Sequence, residues 1–174
     1  MRQDVEHGEG AILRDVTLQV DDVLWSSGGA ARPAPASFDW TAYGWTFRGG
    51  NPDNRTEMAG ADEPRIEKGH TYIMAIEWQP PRCTPGDFVP AQWRGLGDGS
   101  TLPFDDKTIG NGEMEGHDQS VEQARSAADT SDPNYGLKDR MAGGSADALA
   151  KALGSATPQA RKEFDPPLSQ TSCG

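Results

Sequence analysis

The feature that most constrains this chain is Gly69-His70-Thr71-Tyr72-Ile73-Met74-Ala75-Ile76-Glu77-Trp78, followed closely by Pro80-Pro81. Thr71 to Ile76 is β-branched, aromatic or apolar almost throughout, the composition of a strand covered on both faces or broken by a bulge. Gly69 supplies a turn before it. The two prolines remove backbone donors after it and must end the ladder. The rest of the chain is therefore expected to pack onto this segment or close around it.

Other strands are weaker echoes of the same signal. Val16, Leu18 and Val20 alternate with Thr17 and Gln19, and a bulge at Asp21-Asp22 would return Val23 and Trp25 to the core face. Tyr43, Trp45 and Phe47 form one face of a further strand in which Gly44 marks a close backbone approach. Ser100 to Phe104 reads as an edge strand because of Pro103, and Thr108-Ile109-Gly110 as a last short one. Ser26 to Ser37 and the polar excursion from Gly49 to Glu63 read as loops.

Helical spacing appears only late in the chain. Val121, Ala124, Arg125 and Ala128 follow Asp118 and Ser120, either of which can cap a helix; Ser145 to Leu153 gives another, and Thr157-Pro158 starts a third. The expected organisation is a flexible leader at 1–10, a mainly β domain at 11–114 and a short-helix extension at 115–174 that packs on it or stays partly mobile. Short strands with Gly-rich corners and no intervening helix predict a small antiparallel, partly closed barrel or sandwich.

The apolar fraction is 34%, with 21 Gly and 13 Pro among 174 residues, which predicts a small core. A formal charge of -11, from 27 acidic and 16 basic residues, repels phosphate backbones and anionic headgroups. Nucleic acid is thus a poor partner. No apolar run is long enough to span a membrane, and the first residues contain no signal-like apolar region. Cys83 and Cys173 allow one bridge, closing a loop of roughly 90 residues and worth about 3–5 kcal/mol if formed. Two free thiols are the alternative. A Cys-x-x-Cys zinc or redox site is excluded.

Three groups of residues could carry chemistry. His70, at the mouth of the main strand, could serve a hydrolase with Asp98 or Asp105, although a Gly-x-Ser-x-Gly elbow is missing. Asp98, Asp105, Asp106 and Glu113 belong to an acidic series on turns that could hold a hard cation, calcium in the first place, but they lack EF-hand spacing. Trp40 with Tyr43 could offer a stacking platform for a glycan or a peptide. The plainer expectation is a strand-start histidine bonded to a loop, hydrated carboxylates and packed aromatics.

Val20-Asp21-Asp22-Val23-Leu24-Trp25, Gly69-His70-Thr71-Tyr72, the stretch from Trp93 to Pro103 and Gly110-Asn111-Gly112-Glu113 together resemble small extracytoplasmic β-barrel domains of high-GC Gram-positive (actinobacterial) proteins. The resemblance covers about 100 residues, leaves the acidic helical tail outside, and implies a secreted or cell-envelope setting without an established activity. The expectation is a non-catalytic structural or protein-interaction module whose partner is another envelope or secreted protein. It needs no cofactor. The alternatives are a secreted hydrolase and a carbohydrate- or calcium-binding domain.

Overall fold

A computed structural model of the chain describes residues 2–4, 9–84, 87–97, 99–128 and 136–157. Strands β1 (Arg2–Asp4), β2 (Glu9–Gln19), β3 (Ser37–Phe47) and β4 (Arg55–Glu57) form an antiparallel sheet in that spatial order. Part of the expected leader is thus a strand, and β4 lies within the expected loop.

Gly44 changes the face that β3 presents. Ile12 is opposite Trp45 and Arg14 opposite Ala42, so two steps on β2 match three on β3. The extra residue is a bulge at Tyr43-Gly44. Phe38 and Ala42 are buried before it and Phe47 after it, a change from even to odd positions. A Cβ at Gly44 would overlap the carbonyl oxygen of Ile12, so the bulge requires glycine. Asp21-Asp22 makes no such bulge. The strand ends at Gln19, and Val23 and Trp25 remain about half exposed instead of returning to the core.

The expected central segment folds back on itself. Strands β5 (Tyr72–Met74), β6 (Ile76–Gln79), β7 (Arg82–Thr84), β8 (Asp87–Val89), β9 (Gln92–Gly95) and β10 (Thr101–Pro103) form nested antiparallel pairs: β7 with β8, β6 with β9 and β5 with β10. The interruption falls at Ala75, whose amide donates to Ser100 O and whose carbonyl accepts from Leu96 N. The ladder therefore steps from Met74–Thr101 to Ile76–Gly95. The β6 strand stops before Pro80, as the missing amides require.

Beyond β10, a 3-10 turn at Asp105–Lys107 precedes the hairpin β11 (Gly112–Met114) and β12 (His117–Gln119). The expected strand at Thr108-Ile109-Gly110 is a turn instead. Ile109 is almost wholly buried; its amide donates to Gly144 O, and its carbonyl accepts from Gly143 N. These bonds join the β portion to the helices α1 (Val121–Ala127), α2 (Leu137–Met141) and α3 (Ala146–Ser155). Ser120 caps α1 reciprocally with Gln123, and Ser145 caps α3. Of the helix expected to start at Thr157-Pro158, the residues beyond Thr157 lie outside the described residues.

The architecture is mainly β, in small antiparallel sheets with few helices. One four-stranded and four two-stranded sheets do not close a ring among the described residues. The core is small and combines Phe38, Ala42, Phe47 and Ile66 with Ile109 and Leu149. No helix among the described residues is long and apolar enough to cross a membrane.

Candidate functional site

Where the two halves of the β portion meet, charged side chains are held inside rather than displayed. Arg14 occupies the same strand face as Val16 and Leu18, so alternation turns it inward. Its Nε donates to Tyr43 O at 2.6 Å, and its Nη2 donates to Arg65 O at 2.8 Å and Ile66 O at 3.1 Å. Arg65, 3% exposed, donates to Met58 O and Gly44 O and pairs with Glu67. Trp45 covers this group, with Arg14, Arg55 and Arg65 within 6.0, 4.6 and 5.5 Å of its ring centre.

Glu113 closes the arrangement from β11. It is 1% exposed. Its Oε1 accepts from Arg65 N at 2.9 Å and Gly116 N at 2.7 Å, and its Oε2 accepts from Ile66 N at 3.0 Å and Tyr72 Oη at 2.7 Å. Four donors satisfy the carboxylate, so its burial is compensated. Ile66 adopts φ 65, unusual for a β-branched residue, and is held there by Glu113 at its amide and Arg14 at its carbonyl. Burial, then the hydrogen bond and charge of Glu113 and the charge of Asp105, push the Tyr72 phenol far above its ordinary value, while Arg14 acts in the opposite direction. Tyr72 stays protonated and in turn accepts from Glu67 N at 2.9 Å.

His70 and Asp105 lie beside this hub and do come together. Nδ1 of His70 is 2.7 Å from Asp105 Oδ2, while Asp105 Oδ1 accepts from Thr71 N at 2.8 Å. The Asp105 carboxylate sits over Gly112, where a Cβ would crowd it. On the other side of the ring, Nε2 is 3.7 Å from Asp118 Oδ1, a charge-pair separation rather than a hydrogen bond. An oriented imidazole beside a carboxylate can relay a proton. Among the described residues, no hydrogen bond joins Nε2 to the hydroxyl or thiol that nucleophilic catalysis would require.

The remaining candidates separate. Asp98 lies outside the described residues. Asp106 accepts weakly from Asn111 Nδ2 at 3.4 Å, and the Glu113 oxygens face N–H and O–H donors, an arrangement suited to a carboxylate rather than to a cation. Among the described residues, no group of three or more His, Cys, Asp or Glu is placed to hold a metal ion. Trp40 packs over Gly95 and edge-on to Phe38, whereas Tyr43 lies against Gly60 and donates to Glu63 Oε2 at 2.6 Å. The two rings therefore do not form one platform. Cys83 is half-buried on β7, and Cys173 lies outside the described residues.

Sequence reasoning placed Glu113 among solvent-facing acids and overlooked Arg14 and Arg65. The alternation of Val16 and Leu18 with polar neighbours, continued backwards, points Arg14 inward and could have identified it. No comparable local pattern marks Arg65 or Glu113. Comparison with known protein families, curated proteins and solved structures finds no match.

Proposed function

We propose that this chain is a non-catalytic structural or protein-interaction module that works outside the cytoplasm, secreted or attached to the cell envelope. The supporting observation is the use made of Arg14, Arg65 and Glu113: their polar atoms bond mainly to backbone groups and fix the junction of the β elements. Charges committed in this way hold a scaffold and leave little polarity for transition-state work. Phe88 near the tip of the β7–β8 hairpin, 62% exposed, and Trp25, 50% exposed, offer the aromatic surface that partner contacts favour. The finer arrangement within this reading is a partly closed barrel or sandwich built from the small sheets. A glycan or calcium would be a ligand of the module rather than a reaction cofactor.

A bridge between Cys83 and Cys173 would tie the tail to the β7–β8 hairpin and belongs to an oxidising compartment. No free cysteine stands among the described residues, which favours it. Peptide mapping under non-reducing conditions should recover the linked pair, and two alkylatable thiols would remove this support. For the module itself, the tagged full chain should retain a specific envelope protein in a pull-down, and the double change Trp25→Ala and Phe88→Ala should reduce retention while leaving the fold intact.

The His70–Asp105 contact favours a second reading, a hydrolase in which His70 handles a proton and Asp105 orients it. Turnover lost in His70→Ala with an unchanged unfolding curve would replace the module reading with this one.

A further inference from the structure

One cleft stands apart from the buried hub, bounded by β10, the β11–β12 hairpin, α1 and α2, with a volume of about 340 Å³. That is ample for one long side chain and lies near the small end of ligand clefts. Its floor is apolar, formed by Leu102, the buried Pro103 and Ile109, Ala124 of α1 and Ala142 just after α2. Its ionisable lining is Asp62, Glu115, Asp118 and Asp139 with Lys138 and His117. Four carboxylates thus face one lysine and His117 across the lining.

The fold gathers these acids from separate elements and fixes two of them. Glu115 accepts from Asp62 N at 2.6 Å and Asp139 from Gly136 N at 2.8 Å. Asp118 stands at the mouth with its side chain 91% exposed, so the cleft is open to solvent. Fixed negative charge above an apolar floor suits a group with an aliphatic stem and a cationic head. Arginine fits both demands, because its stem can lie on the alanines while its planar fork meets carboxylates. An open mouth lets such a side chain enter while the backbone that carries it stays outside.

We infer that this cleft takes a basic side chain, arginine in the first place, from an extended segment of a protein partner. The inference rests on the interaction-module reading and gives the partner its chemistry. The test uses the full chain, followed by amide spectra during titration with acetyl-arginine methylamide. Saturable shifts at Gly110, Gln119, Ala124 and Ala142 are expected. Asp118→Asn should weaken binding by about twofold to fivefold, the effect of one largely exposed charge, and added salt should weaken it further. Ala127→Arg, an exposed change in a helix, should abolish it by supplying a competing cation.

An equal response to the norleucine analogue, an undiminished response in Ala127→Arg, or no saturable shift would overturn the proposal. So would binding of agmatine without binding of the capped arginine, which would make the occupant a free amine. An envelope partner retained equally by the unaltered chain and Ala127→Arg would leave the module reading standing and remove the cleft from it. Saturable binding of the capped arginine with no envelope partner recovered would instead overturn the module reading and leave a cation-binding cleft.

Discussion

Glu113 shows how much one side chain can hold when each oxygen has two donors. Glutamine in its place would keep one accepting oxygen and turn an NH2 group towards two existing donors. Glu113→Gln is therefore expected to cost about 3 kcal/mol or more, because buried donors are left facing a donor. Urea unfolding should show a lower midpoint with an unchanged slope; an unchanged midpoint would mean that the carboxylate holds nothing. Tyr72 adds a pH dependence with a definite sign. Its folded value is raised above the ordinary 10.0, so the folded state binds more protons than the unfolded state once the unfolded phenol begins to ionise. This contribution is complete below about pH 10 and is lost as pH rises beyond it. Tyr72→Phe should lower stability at neutral pH by about 1–3 kcal/mol and make the alkaline decline shallower, and an equally steep decline would assign it to other groups.

At the scale of elements, local chemistry and long-range pairing divide the work. The β2–β3 pair has its length from alternating apolar residues, but its usable faces come from the bulge at Gly44. A side chain there meets backbone, which cannot rotate away as a flexible side chain can. Gly44→Ala is expected to destabilise the protein by about 2 kcal/mol through strain in the bulge. Circular dichroism melts would check this, and a melting temperature equal to that of the unaltered chain would show that the bulge relaxes without cost. On the β6–β9 pair, Trp78 is directly opposite Trp93, with ring centres 5.5 Å apart, and Arg32 from the stretch between β2 and β3 covers Trp78 at 4.1 Å. A segment without periodicity is thereby fastened to a strand pair.

At the scale of the whole molecule, the question is whether the helices ride on the β portion or share its stability. Leu149 is buried, and the Ile109 amide and carbonyl exchange bonds with Gly144 and Gly143 at 3.0 and 2.7 Å. These contacts place the helices and the β portion in one cooperative unit, since breaking the bonds would leave buried backbone groups unpaired. Native-state hydrogen exchange should therefore give the amides of Ile109 and Gly143 the same opening free energy as the amides of β3. Much faster exchange at Gly143 alone would make the helices a separately opening appendage.

Features with a local cause were legible in the residues alone. Pro80-Pro81 had to stop a ladder, Ser120 and Ser145 could cap helices, and Gly44 could admit a neighbouring backbone. The sequence also brought His70 and Asp105 forward as candidates, though not their contact. The meetings across long stretches of chain came from the packing of the elements: Arg65 with Glu113, 48 residues apart, and His70 with Asp105, 35 apart. The reason is physical. Periodicity reports which face of an element avoids water, whereas the partner of a buried charge depends on which elements fold against each other, and no local spacing encodes that.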